Sequence, residues 1–334
     1  MRPVIRLCFA ILLGTATLFA LGAAAKPLRV VTTTPDLADL ARAVGGDAVD
    51  VKSLTKGPQD VHFVEPRPSF VSDLHRADVL VQLGMDLEIG WLPAVLTAAR
   101  NDEVIPGGRG AIDASAAIEP LEVPTGRVDR SAGDVHPRGN PHYLTDPLNG
   151  LAVARLLRDR FADLRPDDAA RFAAGYAKLA KRIVTALVGE ELAARGSPEE
   201  IADQVRSGAL QNDPALGGWL GRARSTAVRR AVQDHRYWPY FARRFGLEMV
   251  ETLEPKPGIA PTTAHLRQVI ERIRAEKIPV LLATVYFDPR HARFVAEKSG
   301  VRVVPMAHQV GSRPGTDDYV AMIDYDVKQV FGAD

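Results

Sequence analysis

The sequence is nearly free of cysteine and carries no surplus of either charge. Its one cysteine is Cys8, and its 42 lysines and arginines are balanced by 41 aspartates and glutamates over 334 residues. Disulfides, iron–sulfur clusters and cysteine-based zinc sites are therefore excluded from the rest of the chain. The balanced charge provides no basic surface for nucleic acid, so no nucleic-acid partner is expected. Any metal ion would have to be bound by nitrogen and oxygen ligands.

Long apolar runs are also missing, except for one at the N-terminus. Arg2 and Arg6 precede an apolar run at 7–21, and small residues follow it at 22–25. This order is typical of a secretory signal peptide, with cleavage expected after Ala25. A retained membrane anchor is less favoured, since the run is short for the ~20 residues that a membrane span needs. Residues 1–25 are thus predicted to be a signal peptide and the mature protein to be periplasmic.

Motifs of catalysis are scarce too. The sequence contains no His-Glu-x-x-His, no Gly-x-Ser-x-Gly and no glycine-rich phosphate loop. The carboxylate pairs Asp167-Asp168 and Asp317-Asp318 stand where helices are predicted to begin. Acidic side chains are common there because they cap the helix. We therefore expect a binding protein rather than an enzyme.

The chain does contain a regular alternation of short apolar runs and helical patterns. Such alternation is typical of βα units with mainly parallel sheets, so we predict an α/β fold of two lobes. After Pro166, apolar residues recur every three or four positions, which predicts one joining helix of about 25 residues and about 40 Å. The predicted parts are an N-terminal lobe at 26–165, a linking helix at 166–192 and a C-terminal lobe at 193–334; residues 101–141 are predicted to be loop with short elements.

Histidine is the residue type that indicates chemistry, because thiols are absent. Three of the eight histidines, His75, His265 and His291, lie in predicted amphipathic helices and are expected on solvated faces. The other five lie in predicted loops, most of them just after a strand: His62, His136, His142, His235 and His308. With His136 set aside, these are separated by more than 70 residues, which excludes a local zinc finger. The spacing fits a site assembled in the cleft between two lobes.

Four segments carry a more specific signal. They are His62-x-x-Glu65-Pro66, Gly139-Asn140-Pro141-His142-x-x-x-Asp146-Pro147, His235-x-x-x-Pro239-Tyr240-Phe241 and Glu254-Pro255-Lys256-Pro257-Gly258. Each resembles a segment of the zinc- and manganese-binding periplasmic receptors of ABC transporters. The resemblance extends over about residues 28–332. It implies the fold of the helical-backbone metal receptors, in which one long helix joins two α/β lobes.

The resemblance also implies a set of ligands. His62, His142 and His235 match the family's first three metal-binding positions. The fourth family ligand is usually a carboxylate, and His308 stands nearest to its place in this sequence. The pair Asp317-Asp318 offers substitutes for that fourth position.

For other residues near these segments, the sequence leaves more than one role open. His136 is either a residue that covers the metal or a solvent-exposed loop histidine. Asp146, Glu65 or backbone carbonyls are candidates to accept hydrogen bonds from the ligand rings and so to orient them.

The expected function is that of a monomeric receptor that captures a divalent transition metal for an inner-membrane ABC permease and its ATPase. Imidazole ligands favour zinc, with manganese and ferrous iron as alternatives. One rival is a secreted histidine-ligated zinc hydrolase, which would need a carboxylate base beside an open metal position. A second rival is a receptor for a metal chelate, which would favour an aromatic cleft, whereas only 6% of the residues are aromatic.

Overall fold

A computed structural model describes residues 26–126 and 135–332 of the chain. The predicted signal peptide at 1–25 lies outside the described residues. The strands of the first lobe are β1 (Leu28–Thr32), β2 (Val49–Ser53), β3 (Val79–Gln82) and β4 (Ala111–Asp113). Those of the second lobe are β5 (Arg230–Gln233), β6 (Glu248–Thr252), β7 (Val280–Ala283) and β8 (Arg302–Pro305).

Twelve helices connect or cover these strands within the described ranges. They are α1 (Pro35–Gly45), α2 (Pro68–His75), α3 (Leu92–Ala99), α4 (Pro147–Leu164), α5 (Ala169–Val188), α6 (Glu190–Ala193), α7 (Pro198–Ser207), α8 (Gly218–Ser225), α9 (Pro239–Phe245), α10 (Thr263–Glu276), α11 (Pro289–Ser299) and α12 (Tyr319–Phe331). In the ranges 26–126 and 135–332, none of the helices combines the length and the hydropathy that crossing a membrane requires.

Each lobe is built on a four-stranded sheet whose strands are all parallel. The strand orders are β2-β1-β3-β4 and β6-β5-β7-β8, so the two lobes repeat one topology. Strands buried on both faces explain the nearly continuous apolar runs, such as Val79 to Val81, in the sequence. The predicted α/β fold with two mainly parallel sheets is confirmed. In such sheets, ligands bind beyond the carboxyl ends of the strands, at the point where the strand order reverses.

The helix α5 lies between the lobes, but it is shorter than the sequence predicts. It contacts α1 and α4 on one side and α8 and α12 on the other. Its predicted apolar stripe is buried: Phe172, Tyr176, Leu179, Ile183 and Leu187. The helix contains 20 residues because Pro166–Asp168 forms a separate 3-10 turn and Gly189, with φ of 87°, ends it. At 1.5 Å per residue its length is about 30 Å. The domain boundaries stay a prediction.

Two other segments differ from or refine the sequence prediction. The strand β4 lies inside the segment predicted to be loop with short elements, and its three residues pair with β3. A strand this short has too few positions to show an alternating pattern, so the sequence carries no signal for it. Within the predicted C-terminal lobe, the residues before β5 form α7 and α8.

A buried carboxylate connects the two lobes near the carboxyl ends of the strands. Asp36, in the first turn of α1, accepts a hydrogen bond of 2.6 Å from the backbone N–H of Val310, which follows β8. Asp36 is 2% exposed. Burial raises the pKa of its carboxyl to about 7, although the Val310 N–H opposes the shift.

This raised pKa predicts a pH-dependent stability. Between about pH 4 and pH 7 the native protein binds a proton at Asp36 that the unfolded chain releases, so the stability that Asp36 provides falls as pH rises. Relative to Asp36→Asn, the free energy of unfolding of the metal-free wild type should decline by about 2–4 kcal/mol over that window. Urea unfolding of both proteins at several pH values measures the difference. A difference that stays level or grows with pH would show that Asp36 is ionised in the folded protein.

Candidate metal centre

Three histidines from both lobes meet in the cleft. His62 follows β2, His142 precedes α4, and His235 lies two residues beyond the end of β5. One nitrogen from each ring lies within 4.8 Å of the others. The ring centroids are 5.2 Å apart for His62 and His142, 5.6 Å for His62 and His235, and 5.5 Å for His142 and His235. Three imidazoles at this spacing can share one metal ion.

The cluster is shielded from solvent. His142 is 6% exposed and His235 is 3% exposed, and the His62 side chain is 7% exposed. Burial, together with the charges that His62 and His235 would carry, holds the pKa of His142 well below its usual value of 6.5. A neutral imidazole keeps the lone pair that a metal ion requires.

Carboxylates orient two of the three rings. Nδ1 of His62 lies 2.7 Å from Oδ1 of Asp60, and Nδ1 of His235 lies 2.7 Å from Oε2 of Glu254. A ring that donates Nδ1–H to a carboxylate has its lone pair on Nε2, and its orientation is restrained. Nε2 of His62 is buried and has no hydrogen-bond partner among the described residues. Both rings are thus held in the tautomer that binds a metal through Nε2.

Buried polar contacts also hold His235 beyond the carboxyl end of β5, beside the end of β7, where the strand order of the second sheet reverses. Asp234 accepts hydrogen bonds from the backbone N–H of His235 at 2.8 Å and from the hydroxyl of Thr284 at 2.7 Å. Thr284 directly follows β7, the strand beside β5. These contacts hold together the ends of two neighbouring parallel strands and direct His235 into the cleft.

The segment around His142 is held by its own polar side chains. Oδ1 of Asn140 accepts the backbone N–H of His142 at 2.9 Å, and Nδ2 of Asn140 donates to the Arg236 carbonyl of the other lobe at 2.8 Å. Asp146 caps α4 through the Leu148 N–H at 2.9 Å. Asp146 is fully buried and forms an ion pair with Arg244 at 2.8 Å. The motif therefore fixes His142 to both lobes.

A sequence profile named "Zinc-uptake complex component A periplasmic" matches residues 30–192 and 219–333, which is most of the chain. The chain belongs to this family. The resemblance to metal-binding solute-binding proteins of ABC transporters is thereby confirmed.

Similar proteins are known from several bacteria. The iron-binding protein YfeA of Yersinia pestis is 23% identical over 92% of this chain and 86% of its own length. The high-affinity zinc uptake system protein ZnuA of Paracoccus denitrificans is 25% identical over 95% of this chain and 94% of its own length. The solved structure of FpvC from Pseudomonas aeruginosa in complex with Mn²⁺ has a TM-score of 0.67, with 22% identity, and covers 91% of this chain and 99% of that one. These names include three different metals.

His308, expected from the family resemblance as the fourth ligand, lies beside the cluster but outside the group of three. Its Nε2 lies 3.3 Å from the Gln59 carbonyl, and its Nδ1 is buried without a partner among the described residues. Its ring meets Tyr237 and Tyr286 edge-on, with centroids 5.6 Å and 4.8 Å apart. Burial lowers the pKa of His308 to about 4.

The carboxylates considered as substitutes for His308 have other surroundings. Asp318 caps α12 through the Ala321 N–H and forms an ion pair with Arg182 at 2.8 Å. Asp317 is exposed. Both residues directly precede α12, and Asp318 caps it, which is the role that the sequence pattern indicates for such pairs.

His136 lies next to the cluster rather than in solvent. Its ring centroid is 5.4 Å from that of His62, and its Nε2 is buried. Burial lowers the pKa of His136 to about 3, and the nearby charges of His62 and His235 act in the same direction. Of the two roles considered for His136 in the sequence, that of a solvent-exposed loop histidine is therefore excluded.

Sequence reasoning missed the residues that orient the rings. It considered Asp146 and Glu65, but Asp146 pairs with Arg244 and Glu65 is exposed. The residues observed in this role are Asp60 and Glu254. A usable signal existed for Glu254, because it follows β6 by two residues as His235 follows β5, and these strands are parallel neighbours. Side chains at such equivalent positions come close together.

Proposed function

We propose that the protein is the periplasmic substrate-binding component of a metal ABC importer. It binds a divalent transition metal, zinc first, through one ring nitrogen each of His62, His142 and His235 in the cleft between the lobes, and delivers it as a monomer to a membrane permease and its ATPase. One observation carries the proposal: three shielded imidazoles from two lobes have nitrogens within 4.8 Å of one another. Membership of a family of periplasmic receptors supports the location and the partners.

The donor set supports zinc over the other metals named for similar proteins. Zinc accepts imidazole nitrogens in a tetrahedral arrangement at about 2.0–2.1 Å. Manganese favours carboxylate and carbonyl oxygens and usually takes more ligands. Asp60 and Glu254 have their carboxylates engaged with ring nitrogens, which leaves nitrogen as the donor presented to the cargo.

The same contacts favour a receptor over a zinc hydrolase. A hydrolase needs a carboxylate free to take a proton from a metal-bound water. Among the described residues, Asp60 and Glu254 are the carboxylates that pair with rings of the cluster, and each is held by the Nδ1 of a histidine ring. Their geometry orients ligands and does not provide a base.

The test is metal titration of the mature protein, without residues 1–25, after its metal has been removed. Elemental analysis of the purified protein and competition titrations with Zn²⁺, Mn²⁺ and Fe²⁺ should give one metal per chain and the tightest binding for zinc. Sedimentation should show a monomer. Tightest binding of manganese would reassign the cargo, and failure to bind any of the three would overturn the proposal. Hydrolysis that disappears on removal of zinc would favour the enzyme instead.

The carboxylate behind His235 should matter for affinity. In Glu254→Gln the side chain keeps its size but loses its charge, so the hydrogen bond to the His235 ring weakens and the ring is less well oriented. The zinc dissociation constant should rise by about 10–100-fold. Glu251→Gln is the matched control, because Glu251 lies in β6, three residues before Glu254, but pairs with Arg272. Equal affinities for the two variants would contradict the orienting role.

A further inference from the structure

The His136 ring carries a buried lone pair for which the described residues provide no partner. Its Nε2 is buried and makes no hydrogen bond with any described residue. The His136 ring centroid lies 5.4 Å from that of His62, although its nitrogens, like those of His308, are outside the group that lies within 4.8 Å. A buried ring nitrogen without a partner is costly unless something else in the site occupies it.

The other side of the His136 ring is fixed. The backbone of Met85 faces the nitrogen opposite Nε2 and raises the pKa of His136, against the larger effect of burial. His62 and His235 have the same arrangement, with Nδ1 held by an acceptor. The acceptor for His136 is a neutral carbonyl instead of a carboxylate. In all three rings the free lone pair is therefore on Nε2.

The backbone that carries His136 is tied to the first lobe. Two residues further along the chain, Arg138 donates to the Asp86 carboxylate from Nη2 at 3.0 Å and from Nε at 3.3 Å. Asp86 follows Met85 directly, so the two contacts hold neighbouring points of one turn. Asn140, further along, donates its backbone N–H to the Leu121 carbonyl at 2.8 Å. His136 is thus placed by its own lobe and does not depend on the metal for its position.

His308, the other candidate for a fourth donor, is held differently. Its Nε2 is directed at the Gln59 carbonyl, and its backbone carbonyl accepts the Tyr237 hydroxyl at 2.9 Å. Its ring contacts are with Tyr237 and Tyr286, whereas His136 contacts His62 itself. The Tyr237 ring is stacked on His142 at 3.8 Å, so it occupies the space next to that ligand.

We propose that His136 supplies the fourth nitrogen donor to the metal held by His62, His142 and His235, in place of His308 or a carboxylate. The inference rests on the proposed function and deepens it. A shell of four neutral imidazoles would contain no anionic ligand. The charges of Asp60 and Glu254, one hydrogen bond behind the rings, would balance the two positive charges of the ion. Such a shell selects zinc over manganese, because manganese favours oxygen ligands.

The experiment compares His136→Ala with His308→Ala in the mature protein. Removal of His136 should raise the zinc dissociation constant at least ~10-fold. Loss of a residue that only hydrogen-bonds to a metal ligand already costs about that much, and His136 is proposed to bind the metal directly. It should also reduce the preference for zinc over manganese, lower the number of imidazoles counted by X-ray absorption from four to three, and change the visible spectrum of the Co²⁺-loaded protein. His308→Ala should leave all four readouts as in the wild type. Circular dichroism of the metal-free variants checks the fold.

Two outcomes separate this inference from the function on which it rests. If His136→Ala keeps the wild-type affinity and imidazole count while His308→Ala lowers both, His308 is the fourth ligand and the inference is wrong. If neither variant changes the count while loss of His142 does, the fourth donor is not a histidine, and again only the inference fails. If loss of His142 has no effect either, the proposed function fails.

Discussion

Replacing His142 by alanine should abolish tight metal binding. The change removes one of the three ring nitrogens that lie within 4.8 Å of one another, so the ion loses a direct ligand. Loss of an outer hydrogen-bond partner alone costs about 10–100-fold in metal affinity, so loss of a ligand should raise the zinc dissociation constant by more than ~100-fold. A competition titration against a coloured chelator measures the change. The effect should be larger than that of Glu254→Gln, because the ligand itself is lost.

His75→Ala is the matched control for this variant. His75 is exposed at the end of α2, and its Nδ1 contacts the Ala99 carbonyl at 2.9 Å, away from the cleft. It should bind zinc as the wild type does. The removed His142 ring also stacks on Tyr237, so thermal unfolding of the metal-free protein must show that the variant is folded. Wild-type affinity in a folded His142→Ala protein would show that the metal is bound elsewhere.

Replacing Arg244 by leucine should destabilise the protein strongly. Asp146 is fully buried, and the Arg244 guanidinium, whose side chain is 11% exposed, donates to both of its oxygens at 2.8 and 3.0 Å. Without the arginine, the carboxylate would remain buried without its charge partner. Such a loss costs about 3–5 kcal/mol of unfolding free energy. Chemical denaturation of the metal-free protein is the measurement.

The neighbouring arginine provides the control for that prediction. Arg243 is 4.0 Å from the same carboxylate, but its side chain is 39% exposed, so Arg243→Leu should cost less than about 1 kcal/mol. Adding Asp146→Asn to Arg244→Leu should recover part of the stability, since the unpaired charge is then removed. Equal costs for the two single arginine variants would show that burial of the pair does not decide its contribution. Because Asp146 follows His142 by four residues, Arg244→Leu should also weaken metal binding.

Local patterns predicted the regular elements well where they were long or clearly bounded. The strands β7 and β8 each contain a short apolar run, which is typical of a buried parallel strand. The start of α4 also follows from the local sequence, since Asp146 caps the helix and Pro147 occupies its first turn. The strand β4 and the early end of α5 at Gly189 were missed. Both depend on only a few residues and on the packing of more distant parts of the chain.

The sequence alone determined the chemistry that this site can have. Because the one cysteine is at position 8, later residues can offer a metal no thiolate, which leaves nitrogen and oxygen as the donors. The strand and helix patterns determined an α/β fold with two parallel sheets. Only the tertiary structure decided which of the five loop histidines meet. It placed His62, His142 and His235 together, brought His136 against His62, and positioned Asp60 and Glu254 behind the rings. The physical reason is that a ring's position in the cleft depends on the packing of two lobes and on hydrogen bonds between distant loops, which no local spacing encodes.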